Sequence, residues 1–215
     1  MELVSVTLSR AIFLFDLDSL NPFGKMSAAE VTAEMIKRYQ FAQSPQALPE
    51  ITMEKGAEFL SGRFGEVVID KLTMYPNGLV VDTRQSTEES EMVAQDILDA
   101  ARDQLGSVVS VGRKHFVSQV TFRSDMKLAA INPVVSEISV QVADFLRLGL
   151  KQEFTVEPAA IIINIDTSKT RVTPGKFTIE RRADTPFEEK LYFSSAPLHT
   201  PTHLELIEKF EKSLA

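Results

Sequence analysis

Cysteine is absent from this chain of 215 residues. Its absence excludes disulfide bonds, thiolate nucleophiles and zinc sites that are built on cysteine. It also agrees with a reducing compartment, where disulfides are rare, and we expect a cytoplasmic protein. The first ten residues, MELVSVTLSR, lack the basic and then apolar order of a secretion signal, which supports the same expectation.

Long apolar runs and an excess of basic charge are also missing. The longest apolar runs, AIFLF and AAIIINI, have the length of strands and fall short of the ~20 residues that a membrane-spanning helix needs. The formal net charge is −7, whereas proteins that neutralise phosphates usually carry the opposite sign. We therefore expect no membrane-spanning segment, and nucleic acid is an improbable partner.

The composition is that of an ordinary globular protein, with 44% apolar and 25% charged residues. The chain contains no internal repeat, no low-complexity tract and no obvious linker. Its length suits one domain of moderate size, so we predict a single domain over residues 1–215.

Four segments have the apolar periodicity and the end signals of α-helices. Ser27 with Glu30 and Ser86 with Glu89 have the spacing of a capping box, and Gly106 is placed to end the second helix. The third and fourth segments begin with Asn-Pro and Thr-Pro, in which proline takes the first helical position. The segments are SAAEVTAEMIKRYQ, STEESEMVAQDILDAARDQLG, NPVVSEISVQVADFLRLGL and TPTHLELIEKFEKSLA.

The third helix is expected to bury one apolar face. Its apolar residues recur at helical spacing and predict an inner surface made of Val134, Val135, Ile138, Val142 and Leu146.

Two hairpins decide the predicted fold class. The segment EVVIDKLTMYPNGLVVDTR turns at Pro76-Asn77-Gly78, and FTVEPAAIIINID is followed by a longer loop and KFTIERR. Gly62 and Gly65 are interpreted as a turn or bulge between strands. Hairpins require antiparallel neighbours, so we predict an α+β fold. It has a mixed, mainly antiparallel sheet with about four helices packed largely on one face.

An aspartate pair follows the first apolar strand, in AIFLFDLDSLNPFG. Asp16-Leu17-Asp18 resembles the first motif of the haloacid dehalogenase-type phosphatases. The resemblance implies that Asp16 is the nucleophile, that Asp18 is the acid and base, and that Mg²⁺ lies between them on a parallel, doubly wound sheet. A carboxylate can carry a phosphoryl group, and a hard cation offsets phosphate charge. A Mg²⁺-dependent phosphoryl-transfer or hydrolytic enzyme is therefore an alternative function.

The competing interpretation treats these acids as the exit of a strand. Asp favours turns, and the Gly-Thr that follows the pair in the phosphatases is Ser19-Leu20 here. His199 and His203 supply only two potential zinc ligands, and the serine pair Ser194-Ser195 has no base close to it in the sequence. We therefore predict no metal site, no cofactor and no catalytic residues, which makes a non-enzyme the preferred interpretation.

Basic residues on two predicted strand regions form a candidate binding ridge. These residues are Arg113, Lys114, Arg123, Arg181 and Arg182. Outward-facing arginines could hold an anionic ligand or a neighbouring subunit through bidentate contacts. The alternative is that they pair with acids on neighbouring strands, at little energetic gain.

The segment before the last helix supplies two aromatic candidates. Tyr192 and Phe193 follow an irregular, proline-containing stretch and are candidate partner-binding residues, or else a hydrophobic clasp. With no complete catalytic set in view, we predict a non-catalytic interaction, assembly or regulatory protein. It would act through a sheet face or edge, with a protein partner or by self-association as a homo-oligomer. An anionic-ligand-binding module is a further alternative.

Overall fold

The computed structural model describes residues 1–45, 55–169 and 173–214. The strands are β1 (Glu2–Leu14), β2 (Ala57–Phe64), β3 (Val67–Tyr75), β4 (Gly78–Thr83), β5 (Arg113–Arg123), β6 (Ala160–Ile163), β7 (Phe177–Arg181) and β8 (Leu191–Ala196). The helices are α1 (Ala28–Tyr39), α2 (Thr87–Leu105), α3 (Pro133–Leu150) and α4 (Thr200–Ser213).

The strands form one sheet with the order β2-β3-β4-β1-β5-β8-β7-β6. Both predicted hairpins are present, because β3 pairs antiparallel with β4, and β6 pairs antiparallel with β7. Strand β1 pairs antiparallel with β4, and β8 with β7. The predicted α+β class, with an antiparallel sheet and four helices, is confirmed.

The two capping boxes and the glycine that ends the second helix are also confirmed. Ser27 and Glu30 form a reciprocal capping box at α1, and Ser86 and Glu89 form another at α2. Gly106 ends α2 with φ of 70°, a left-handed conformation that glycine adopts without a steric penalty.

The glycines of LSGRFG have two different roles. Gly65, at φ of 58°, lies in the tight turn between β2 and β3, as a turn glycine was expected to. Gly62 instead lies inside β2, opposite Ile69. A Cβ atom at Gly62 would come within 2.4 Å of the ring of the buried Phe41, so glycine makes room for this ring.

Contacts between Cα atoms group the chain into two compact units. The first, here called the core unit, comprises Val6–Gln119 and Pro197–Thr202. The second, here called the α3 unit, comprises Met1–Ser5, Val120–Ala196 and His203–Ala215. The single domain predicted over residues 1–215 stays a prediction.

The main cluster of buried apolar side chains belongs to the core unit. Alternate residues of β1, such as Ala11 and Phe13, and Phe15 directly after β1 are buried together with residues of β2, β3, β4, α1 and α2. Helix α2 contacts β4, and α1 contacts β2. The apolar faces of these strands and helices therefore pack together into one shared core.

Buried hydroxyl groups tie the start of α2 to neighbouring backbone. The backbone N–H of Thr87 donates to Thr200 Oγ1 at 3.2 Å, and the N–H of Thr200 donates to Thr87 Oγ1 at 2.7 Å. Ser90 Oγ donates to the carbonyl oxygen of Ser9 at 2.9 Å. Two helix starts thus satisfy each other's free N–H groups, which would be costly if they were buried without a partner.

Gly62→Ala is expected to destabilise the protein. The added methyl group collides with the Phe41 ring, and such overpacking lowers the free energy of unfolding by about 1–3 kcal/mol. The measurement is urea unfolding, with Gly175→Ala as the control, because a Cβ atom there meets no atom within 4 Å. Equal stability of the two variants would contradict the packing seen at Gly62.

Candidate functional site

Asp16 and Asp18 lie in the turn that follows β1, and both are exposed to solvent. Asp16 Oδ1 accepts a hydrogen bond from the backbone N–H of Asp18 at 3.2 Å and caps the 3₁₀ turn Leu17–Leu20. Aspartate often has this role, because its short side chain reaches the backbone two residues further on.

The surroundings of this pair differ from those that the phosphatase resemblance implies. Within residues 1–45, 55–169 and 173–214, no three side chains of histidine, aspartate or glutamate are grouped so that they could hold a metal ion. The strand that leads to Asp16 pairs antiparallel with β4, whereas the resemblance implies a parallel sheet. The implied fold is therefore not the fold of this chain.

Arg113 and Lys114, in the core unit, begin β5 and are both exposed. Lys114 Nζ lies 2.9 Å from Glu91 Oε1 and 4.6 Å from the centre of the Phe13 ring. Lys114 thus pairs with an acid of helix α2 and not with an acid on a neighbouring strand, and at this exposure such a pair contributes little to stability.

Arg181, in the α3 unit, is the most enclosed of the candidate basic residues. Its side chain is only 10% exposed and forms an ion pair with Glu157. Its guanidinium lies 4.5 Å from the ring centre of Phe187 and 5.2 Å from that of Tyr192. Arg181 is therefore held by groups of its own chain, by Glu157 through Nη2 and by aromatic rings that suit a planar cation.

The remaining candidates of the α3 unit have separate surroundings. Arg123 and Arg182 are exposed, and Arg182 lies 5.9 Å from the ring centre of the half-buried Phe193. Tyr192 is fully buried, and its hydroxyl donates to the carbonyl oxygen of Met126 at 2.8 Å. Tyr192 thus acts as an internal anchor of β8.

A serine–histidine contact that the sequence did not reveal lies inside the α3 unit. Ser194 on β8 and His203 on α4 are both fully buried, with 2.7 Å between Ser194 Oγ and His203 Nε2. Ser194 Oγ also donates to the carbonyl oxygen of Thr178 at 2.5 Å. A hydroxyl has one proton to donate, so His203 Nε2 carries the proton of the shared contact.

This polarity is the reverse of the one that activates a nucleophile. A general base accepts the proton of serine, whereas His203 donates a proton to Ser194. Neither side chain has exposed surface that a substrate could reach. The pair therefore connects α4 to β8 by a buried hydrogen bond.

Helix α3 carries the largest departure from the expected packing. None of its residues is buried, so the prediction of an inner face is wrong. Eight of its large apolar residues are between 41% and 74% exposed: Val134, Val135, Ile138, Val140, Val142, Phe145, Leu148 and Leu150. None of the helices described is long and apolar enough to cross a membrane. The helix thus presents an apolar surface that the described chain does not cover.

Four exposed residues of α3 form a regular row, here called the α3 stripe. Val135, Ile138, Val142 and Phe145 follow one another at intervals of three, four and three residues. This spacing aligns side chains along one side of a helix and is the spacing used where two helices pack together. The α3 stripe is the candidate functional site.

Strand β6 provides a second candidate contact in the same unit. It lies at one end of the strand order and pairs with β7 on one side. Its side chains are those of Ala-Ile-Ile-Ile, and Ile162 and Ile163 are more than half exposed. An edge of this kind is open to pairing with another strand.

The sequence contained a signal that α3 differs from the other helices. Val140 lies on the side opposite the α3 stripe, so apolar residues occur around more than one face of the helix. A helix that is apolar on several sides is usually surrounded by other protein. The pattern predicts burial but does not say whether the same chain provides it.

The sequence matches no protein-family model and no curated protein. The interpretation of the α3 stripe therefore rests on its geometry and chemistry.

Acid is expected to destabilise the protein through His203. Burial lowers the pKa of His203 to about 4, from an ordinary value of 6.5. The unfolded chain thus binds a proton near pH 6.5, whereas the folded chain binds it only near pH 4. Stability is full above this window and is lost as the pH falls through it, by up to about 3 kcal/mol, because each pKa unit is worth about 1.4 kcal/mol.

Urea unfolding of wild type and His203→Gln across this window measures the effect. The variant is expected to lose most of the pH dependence between about pH 6.5 and pH 5, above the range where aspartate and glutamate titrate. NMR titration of the His203 ring should give a midpoint near the lowered pKa of about 4. If the stability of wild type and of His203→Gln depended on pH in the same way, His203 would not be the cause of the destabilisation.

Proposed function

We propose that this protein is a non-catalytic assembly component whose copies associate with one another through the α3 stripe. The observation that carries the proposal is that α3 has eight large apolar residues exposed and none buried. Water contact with so much apolar surface is unfavourable, and association removes it.

The extent of this surface suits an interface. The four side chains of the α3 stripe, each exposed by 41% to 74%, present an apolar area on the order of 400 Å². Contiguous apolar patches of this size on a protein surface are often binding surfaces.

A second copy of the chain is the occupant that fits the stripe best. Most soluble oligomers are symmetric, and a two-fold axis brings the same patch of two copies together. The α3 stripe consists of apolar side chains alone, so it is complementary to itself. Only three charged residues, Glu137, Asp144 and Arg147, lie on α3, and the last two pair with each other at 3.0 Å. Like charges thus present little obstacle to self-association.

Two further considerations support an assembly of this kind. Helices that bind at a membrane surface usually carry many basic residues on their polar face, whereas α3 has one arginine. The open edge of β6 offers a second place for copies to meet, through backbone hydrogen bonds. We place the assembly in the cytoplasm, because the chain has no cysteine to form disulfides.

Phe145→Glu is expected to separate the copies. The change puts a charge at the most exposed position of the α3 stripe, which an apolar interface would have to bury without a partner. Light scattering behind size-exclusion chromatography should give wild type at least twice the chain mass of 23.9 kDa, and Phe145→Glu the chain mass itself.

Val140→Glu is the matched control, because it makes the same kind of change on the opposite side of α3. It is expected to keep the mass of wild type, and circular dichroism should show both variants folded. Wild type that stays at the chain mass up to about 100 μM overturns the proposal, since the copies of a stable assembly associate at lower concentrations. A Phe145→Glu variant that keeps the mass of wild type also overturns it.

A further inference from the structure

A cavity of about 240 Å³ lies within the core unit between α1, α2 and the 3₁₀ turn Leu17–Leu20. We call it the helical pocket. Phe59 of β2 and Met74 of β3 contribute to its wall from the sheet side. Its lining is mostly apolar and includes Leu20 of the turn, Met26 before α1, Met35 of α1, and Ile97 and Leu105 of α2.

The volume and lining of the pocket suit an apolar ligand. An engineered apolar cavity of about 150 Å³ takes up benzene. The helical pocket, at about 240 Å³, is larger and is also lined mostly by apolar side chains, so it has room for a larger apolar molecule.

The rim of the pocket gives access from solvent. Gln104 is exposed, and the side chains of Glu34 and Arg38 are 31% and 35% exposed. All three belong to the lining. A small molecule can therefore reach the pocket without prior unfolding of α1 or α2.

The polar groups of the rim are engaged with the protein itself. Arg38 binds Asp96 in a bidentate pair at 2.6 and 2.8 Å, and the Tyr39 hydroxyl donates to Asp96 at 2.6 Å. Partial burial raises the pKa of Asp96, but the bonds from Arg38 and Tyr39 outweigh it, so the net pKa lies below the ordinary value. The carboxylate therefore stays charged and keeps Arg38 occupied.

The side chain of Asn21, which also lines the pocket, makes its hydrogen bonds within the protein as well. Its amide donates to the carbonyl oxygen of Met26 at 2.7 Å and accepts from the N–H of Lys25 at 2.9 Å. Among the described residues, the buried side-chain atoms without a hydrogen-bond partner are His115 Nε2 and Arg181 Nε. Neither residue lines the pocket, so no unpartnered buried group calls for a polar ligand.

We propose that the helical pocket is a binding site for a small, uncharged, apolar molecule of about the size of a two- or three-ring hydrocarbon. Three methionines, Met26, Met35 and Met74, belong to the lining. Their unbranched, polarisable side chains adapt to ligands of different shape, which favours a site selective for apolar character and size. This proposal concerns the core unit and is independent of self-association through α3.

Fluorescence titration with N-phenyl-1-naphthylamine, an uncharged probe with three aromatic rings, tests the site. Wild type is expected to bind one probe per chain with a dissociation constant on the order of 10 μM. Ala101→Leu, which extends a side chain of α2 into the pocket, should weaken binding at least about tenfold. Ala33→Leu, an exposed position on α1 outside the lining, is the matched control and should bind as wild type does.

Two further measurements test whether the neutral probe binds in the helical pocket. The anionic probe 8-anilinonaphthalene-1-sulfonate has a similar size and is expected to bind more weakly. Phe145→Glu on α3 should leave binding of the neutral probe unchanged, which separates this site from the α3 stripe. If Ala101→Leu does not fold, Ala100→Leu takes its place, because Ala100 also lines the pocket.

Methyl NMR locates the probe directly. Its addition should shift the methyl signals of Met26, Met35 and Met74 and leave that of Met92 unchanged, because Met92 is exposed and lies outside the lining. Failure of wild type to bind the neutral probe overturns the proposal. Full binding by the pocket-filling variant, or loss of binding in Phe145→Glu, also overturns it.

Discussion

The antiparallel pairing of β1 with β4 is the interaction on which the core unit depends. It aligns Ser9 with Thr83 and Leu14 with Gly78, and this register fixes which side chains of β1 enter the core. Gly78, at φ of 144°, lets the two backbones approach, because a Cβ atom there would come within 2.0 Å of the Phe13 carbonyl oxygen. Strand β1 ends at Leu14, where its pairing with β4 ends, and Asp16 then caps the 3₁₀ turn Leu17–Leu20.

The helices differ in how their apolar residues are used. Helix α2 buries eight residues, whereas α3, of nearly the same length, buries none. Proteins are only marginally stable, and contact between water and a large apolar surface is unfavourable. An exposed surface of this kind is therefore commonly a binding surface. A self-associating α3 and a ligand-binding core unit would place two functions on separate parts of the chain.

The contact between Ser194 and His203 shows why residue types alone do not define a catalytic site. The distance between the two side chains is that of a nucleophile and its base. However, the proton of their hydrogen bond is on His203 Nε2, and both residues are buried. The sequence places them nine residues apart, on a strand and on the following helix. Their meeting depends on how α4 packs, and local sequence does not specify that packing.

The sequence by itself determined the helix ends, both hairpins and the α+β class. These features depend on neighbours along the chain: Ser86 finds Glu89 three residues on, and a hairpin needs only its own turn. The tertiary structure decided that the apolar side of α3 remains exposed, that Gly62 lies inside a strand beside Phe41, and that α1 and α2 leave a pocket between them. The physical reason is that apolar periodicity shows that a face avoids water, whereas the groups that cover it are distant in the chain or belong to another molecule.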